Sequence, residues 1–235
     1  SEVSPQGSPE SAGELLPSPA AERRIDELAA RFRWRRAVPK ENVPSRPRAH
    51  LPSTEGAASE LFPRLPEAYR RVGEGIESAS MGGRVKLALD GRGAFELRDG
   101  RGARAQIVLR GARESRAETA GGYVIYPGAS PSGGDVLIRP TLRGIEDFVA
   151  LSSDSIRSLQ YGLTLDPTTK GLRLIGGTLE LLDGDGAPRL RMQSPYIVDA
   201  NGISRPVKVG VEGWVVASGS QSRFLRPVTA PGAAT

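Results

Sequence analysis

Arg84-Val85-Lys86-Leu87-Ala88-Leu89-Asp90-Gly91 is the stretch that decides the fold. Val85, Leu87 and Leu89 fall on every second position, the period of a half-buried strand, and Asp90-Gly91 then supplies a turn. The pattern repeats at once. Phe95 and Leu97 alternate and run into Asp99-Gly100, and Ile107 and Leu109 follow. Strand, turn, strand, turn, strand is a meander. Further short apolar runs continue it: Tyr123 to Tyr126, Val136 to Ile138, Phe148 to Leu151, Leu159 to Leu165 and Leu172 to Ile175. Leu179 to Leu182, Leu190 to Met192, Tyr196 to Val198, Val207 to Val216 and Phe224-Leu225 complete the series.

No helical segment of ten or more residues separates these runs, so a parallel α/β fold is excluded in favour of antiparallel sheets. The expected fold is mainly β, an antiparallel β-sandwich or jelly-roll-like sheet stack. In the last long run, Val207, Val209 and Val211 alternate with Lys208, Gly210 and Glu212, which predicts a strand with one solvated face. Gly176-Gly177, Asp183-Gly184-Asp185-Gly186 and Asp199-Ala200-Asn201-Gly202 read as hairpin turns.

Working toward the N-terminus, composition changes. Residues 1–19 are rich in Ser, Pro, Glu and Gly and have too little apolar surface to offset the entropy of ordering. Ile25, Leu28, Ala29 and Phe32 then recur at helical spacing, predicting an amphipathic helix at about residues 20–36 that Pro39 ends. Residues 37–66 carry Pro44, Pro47, Pro52, Pro63 and Pro66 and read as an extended linker. The expected organisation is thus a disordered, Pro-rich segment over residues 1–66 with one short helix, then a β domain over 67–235.

The composition narrows the chemistry. The 235 residues include no Cys and a single His, with a net charge of +5. Disulfides, thiolate metal sites and Cys nucleophiles are excluded. No stretch is apolar enough to span a bilayer and no signal peptide is visible. Because the chain opens on Ser1 rather than Met, it is expected to be a piece or a trimmed form of a longer protein.

The sole His, His50, falls in the linker, where no carboxylate or nucleophile is held beside it, so a catalytic triad is not expected. Asp183-Gly184-Asp185-Gly186 has the opening spacing of a calcium loop, but Ala187 and Pro188 occupy the positions where an EF-hand needs a ligand and a Gly. A hairpin turn is the preferred reading. Glu146 and Asp147 are adjacent carboxylates on a strand, where neighbours point to opposite faces, so they cannot bracket a sugar together. Gly91-Arg92-Gly93 and Gly100-Arg101-Gly102 look like RNA-contacting Arg-Gly segments but lack interleaved aromatics.

The sharpest basic cluster is Arg31, Arg33, Trp34, Arg35 and Arg36. It can form a contact patch for anionic lipid or nucleic acid; the preferred reading is a helix that packs through its apolar stripe and keeps the Arg heads in water. No catalytic, metal or cofactor-binding residue is expected, and no cofactor.

Several of these segments together resemble a family. They are Gly121-Gly122-Tyr123-Val124-Ile125-Tyr126-Pro127-Gly128-Ala129, Gly134-Asp135-Val136-Leu137-Ile138-Arg139-Pro140-Thr141, Thr178-Leu179-Glu180-Leu181-Leu182-Asp183 and Pro195-Tyr196-Ile197-Val198-Asp199. With the closing Arg226-Pro227-Val228-Thr229-Ala230-Pro231-Gly232-Ala233, they resemble the N-terminal β domain of large secreted myxobacterial proteins with kelch-like repeats downstream. A related layout occurs in Rhs/YD-repeat wall-associated and toxin-delivery proteins. The resemblance covers residues 84–233 and lies in turns and strand edges, so it carries over no catalytic residues.

Relatives often place a Cys near Trp214 and another after the Pro-Gly-Ala-Ala run. This chain has neither, so the disulfide implied by the family is absent. The resemblance implies an extracellular or cell-surface location and a non-enzymatic structural or adhesion-type module. Its partners would be downstream repeats of the same polypeptide and cell-envelope glycan or protein, with nucleic acid not favoured. The alternatives are the N-terminal part of an Rhs/YD-repeat toxin-delivery protein and a carbohydrate-active enzyme on a β fold.

Overall fold

The computed structural model describes residues 18–31, 61–66, 69–73, 75–80, 83–141, 144–152, 158–216 and 224–227. The fold is mainly antiparallel β. The described chain forms two compact units, one built from residues 64–166 with the N-terminal residues to Glu22, the other from 167–235 with 23–63. The expected single β domain over 67–235 is thus divided between two units after Asp166.

Among the described residues, the first unit holds ten strands. β1 (Tyr69–Val72), β2 (Gly75–Ser80), β3 (Gly83–Ala88), β4 (Phe95–Asp99) and β5 (Arg104–Leu109) form a meander. The chain then leaves to make a second meander, β6 (Glu118–Ala120), β7 (Tyr123–Tyr126), β8 (Val136–Thr141) and β9 (Gly144–Val149). It returns as β10 (Tyr161–Leu165), which pairs antiparallel with β5. The result is a six-stranded sheet against a four-stranded one.

The layer between the sheets is apolar. Ile76, Val85, Leu87 and Leu109 from the first sheet pack with Val124, Tyr126, Val136 and Ile138 from the second. These are the alternate positions of their strands, so period 2 places them all inward. The opposite face of the four-stranded sheet is covered too: Tyr123, Ile125 and Leu137 are fully buried. This explains why β7 reads as an unbroken apolar run rather than an alternation.

Tyrosine hydroxyls tie the two sheets. Tyr69 Oη donates to the Tyr123 carbonyl at 3.0 Å and Tyr126 Oη to the Ala88 carbonyl at 2.7 Å. Each buries an apolar ring and still satisfies its hydroxyl.

The second unit contains β11 (Gly171–Ile175), β12 (Thr178–Leu182), β13 (Pro188–Met192), β16 (Trp214–Val216) and β17 (Phe224–Pro227), in the order β13-β12-β11-β17-β16. β14 (Tyr196–Val198) and β15 (Ser204–Pro206) make a separate hairpin.

Turn chemistry sets the registers. Gly121-Gly122 and Gly176-Gly177 all have positive φ and close two-residue hairpins, the type I′ arrangement that matches strand twist. One five-residue loop is used three times: Asp99 to Ala103, Asp183 to Ala187 and Asp199 to Ile203. In each, Asp Oδ1 accepts the backbone N–H groups two and four residues on, at 2.8–3.1 Å. The fourth residue, Gly102, Gly186 or Gly202, takes the left-handed conformation that ends a type I turn as a bulge.

Helix α1 (Pro19–Arg31) starts at a Ser18 cap, whose Oγ accepts the Ala21 N–H at 3.3 Å, with Pro19 in the first turn. Ser18 and Pro19, expected to be tail, are therefore the start of the helix. The expected stripe is present, with Ile25 buried and Leu28 and Ala29 half-buried. Phe32 and the remainder of the predicted helix to residue 36 lie outside the described residues, as do residues 1–17 and 37–60. The end of the predicted linker is packed, since Leu61 and Phe62 are each 5% exposed and Leu65 N–H bonds to Gly121 O at 3.0 Å.

Two other expectations change. The strand predicted from Val207 to Val216 is only β16, Trp214–Val216; residues 207–213 make no ladder among the described residues, and Gly213 turns the chain at φ 76°. β1, β2 and β6 were not expected, because each carries too few large apolar residues to show a period; β2 has only Ile76.

Gly122 is the most constrained turn position. It has φ +83°, and a Cβ there would stand 2.6 Å from Leu65 Cβ and 2.8 Å from Leu65 O. Gly122→Ala is therefore expected to cost about 2 kcal/mol or more, the sum of left-handed strain and overpacking. Urea denaturation of the variant beside Gly176→Ala, which has open space around it, separates the two contributions.

Candidate functional site

A small concavity, with room for about one water-sized group, lies between the two sheets of the first unit. Phe95, Leu109, Val136 and Ile138 form its apolar walls, Gly91 and Gly93 line one side, and Tyr126, Asp147 and Tyr161 supply polar groups. Gly93 is glycine because a Cβ there would meet Ala88 Cβ at 2.2 Å.

Asp147 reaches this place by strand parity. In β9, Ile145 and Val149 pack into the inter-sheet layer, and Asp147 between them shares their face. It is a carboxylate pointing inward from an edge strand. Tyr161, on the edge strand of the other sheet, answers it: Tyr161 Oη donates to Asp147 Oδ2 at 2.5 Å. The pair closes the cleft from sheet to sheet.

Many protein atoms lie near Asp147, yet its side chain is exposed to solvent at the rim of the concavity. That surrounding desolvates the carboxylate and pushes its pKa above the ordinary carboxylate value; the Tyr161 bond pulls the other way and does not cancel it. Burial and the neighbouring Asp147 charge hold the Tyr161 phenol well above its usual range, and burial does the same for Tyr126. The phenols are therefore hydrogen-bond donors at neutral pH and not acids. The space beside the pair takes no more than about one water-sized polar group.

Glu146, next to Asp147, turns to the other face. There it pairs with Arg139, whose guanidinium also donates to Tyr123 Oη at 3.4 Å and lies 5.4 Å from the Phe148 ring centre. The two adjacent carboxylates serve separate networks, as strand geometry requires.

The second unit has an ionic ladder. Glu180 stands directly opposite Arg173 on one side and Arg191 on the other. Its oxygens accept Arg173 Nε at 2.6 Å and Arg191 at 2.5 Å. The Arg173 bond above all, then Arg191, holds the Glu180 carboxyl below its ordinary range. Although the residue is only 6% exposed, little protein packs around it; the arginine side chains themselves form the cover.

The turn aspartates are likewise engaged. Asp183 is held low chiefly by the Ala187 N–H, and its other oxygen faces Arg189 at 3.6 Å. The segment that opens like a calcium loop is thus a hairpin turn. Arg92, in one Arg-Gly segment, pairs with Asp90 at 3.0 Å and Glu114 at 3.2 Å. Of the expected basic patch, Arg31 is exposed at the end of α1, while Arg33, Trp34, Arg35 and Arg36 lie outside the described residues, as does His50. Among the described residues, no helix is long and apolar enough to cross a membrane.

The sequence reading did not single out Asp147 with Tyr161. The inward parity was available from Ile145 and Val149, but the partner lies fourteen residues away on the other sheet.

The two perturbed carboxylates give opposite pH signatures. Asp147 has a folded pKa above its unfolded value of 3.8, so its contribution falls as pH rises through that window and stays unfavourable at neutral pH. Asp147→Asn is expected to be more stable than the parent at pH 7, with the gain shrinking as pH falls toward 3.8. Glu180 has a folded pKa below 4.5; its stabilisation is present above that value and lost in acid. Glu180→Gln is expected to be less stable at pH 7, with the difference closing at low pH. Urea denaturation of both variants between pH 3 and pH 8 checks the signs. No family model, curated protein or solved structure matches this chain.

Proposed function

We propose that this chain is a non-enzymatic, adhesion-type structural module of a larger secreted or cell-surface bacterial protein, as its resemblance to the myxobacterial repeat proteins implies. The observation that carries the reading is how the acidic groups are used. Asp147 holds Tyr161, Glu146 holds Arg139, Glu180 holds Arg173 and Arg191, and Asp99, Asp183 and Asp199 hold turn amides. These bonds tie neighbouring strands and turns together, the use of charge that a scaffold calls for.

The β14–β15 hairpin supports a contact role for the second unit. Tyr196, Ile197, Ile203 and Val207 are 38–45% exposed on it. A two-stranded hairpin is marginal alone in water, and exposed apolar side chains grouped on one element mark a contact surface. Downstream repeats of the same polypeptide, or cell-envelope glycan or protein, are the partners that this surface would meet.

The test is incubation of the purified full chain with a panel of envelope polysaccharides, scored for retention and for released reducing ends. Retention without product is the expected result; release of reducing ends that Asp147→Asn abolishes would overturn the reading in favour of carbohydrate chemistry. Ile197→Asp with Ile203→Asp is expected to leave the far-ultraviolet dichroism unchanged, since both sites are already exposed, and to abolish co-purification with the downstream repeats when the two are expressed together.

A further inference from the structure

Among the described residues, the first unit has four sheet edges, and three carry charge. β1 presents Arg70 and Arg71, β6 presents Glu118, and β9 presents Glu146 and Asp147. Such charges keep strand edges from pairing with another chain. β10 is the exception. Its sequence is Tyr161-Gly162-Leu163-Thr164-Leu165, with no charge and no proline.

Its hydrogen-bond phase is set by its neighbour. Arg110 N–H donates to Gln160 O at 2.8 Å, and Asp166 N–H donates to Arg104 O at 3.2 Å. In an antiparallel ladder these groups alternate in direction. Gln160, Gly162, Thr164 and Asp166 therefore point their amides toward β5, and Tyr161, Leu163 and Leu165 point N–H and C=O outward. On the inner face the six-stranded sheet is wider than the four-stranded one, and Tyr161 and Leu163 there remain 36% and 41% exposed.

We infer that β10 is a homotypic pairing edge: two copies of this chain join antiparallel through β10 about a two-fold axis at Leu163. This register is self-consistent. Leu163 faces Leu163 of the second copy, Tyr161 faces Leu165, and all the outward amides are matched. The apolar side chains that overhang the sheet then meet their equivalents. Charge favours the same occupant. The Arg110 guanidinium lies over Gly162, where a Cβ would stand 2.8 Å from its Nε. In the antiparallel pair this end of β10 meets the Asp166 end of the other copy, so arginine approaches, on both sides of the axis, an aspartate whose Oδ2 accepts the Arg104 N–H of its own copy. An edge of five residues falls short of the roughly 1,200–2,000 Å² of a stable interface, so the association is concentration-dependent.

The absence of Cys from the chain allows a clean test. Residues opposed in a hydrogen-bonded pair have Cα atoms about 5.5 Å apart, within disulfide reach. Full-length Leu163→Cys, oxidised mildly, is expected to give a disulfide-linked dimer well ahead of Ile175→Cys, an exposed control at 54%. Sedimentation of the parent is expected to show a mass rising from 24.9 kDa toward twice that with concentration. Leu163→Lys, which sets two like charges together at the axis, should weaken association about tenfold or more while leaving the dichroism spectrum unchanged. A parent that stays monomeric at every concentration, a dimer unmoved by Leu163→Lys, or cross-linking no faster than in the control would overturn the proposal.

Discussion

The first unit depends on one apolar layer shared by sheets of unequal width. Val85, Leu87 and Leu109 must meet Val124, Tyr126 and Ile138, and this fixes which alternate residues of each strand face inward. Everything polar that falls on an inward position then needs a partner, because an unsatisfied buried group costs about 1–3 kcal/mol. The tyrosines answer this demand by spanning the layer: the ring joins the core and the hydroxyl finds a carbonyl or a carboxylate on the opposite sheet. The width mismatch has the further consequence that β10 carries an inner face that the narrower sheet leaves partly open.

Electrostatics follows from the same geometry. Asp147 and Glu180 both sit on strands and both have a neutral or cationic partner, yet their pKa values move in opposite directions. Asp147 meets solvent but is crowded by neighbouring protein and faces an uncharged phenol, so its carboxyl moves up. Glu180 lies under two guanidinium groups on a sheet surface, so charge-assisted hydrogen bonds win. The first arrangement places a partly desolvated acceptor beside an apolar wall, and the second stitches three neighbouring strands together.

The repeated Asp-x-x-Gly loop has a similar economy. In all three copies the carboxylate satisfies two backbone amides that a tight turn would otherwise leave without partners, and the glycine takes the one conformation a side chain would oppose. The side-chain oxygen at Asp99, Asp183 and Asp199 is thus part of each turn, including the one at Asp183 that opens with calcium-like spacing.

The amino-acid sequence by itself determined the strand class, most strand positions and the turn sites, because period 2, Asp-Gly and Gly-Gly pairs act within a few residues of one another. Tyr123–Tyr126 and Tyr196–Val198 were legible to the residue. It also determined that Glu146 and Asp147 point apart. Tertiary structure alone decided the rest. Weakly apolar strands such as β2 are strands because neighbours on both sides accept their ladders, and Val207 to Val211 alternates without a ladder among the described residues. The Asp147–Tyr161 pair and the open edge of β10 depend on which strands lie at the borders of two sheets. That order is set by where the chain crosses between sheets, and local periodicity carries no record of it.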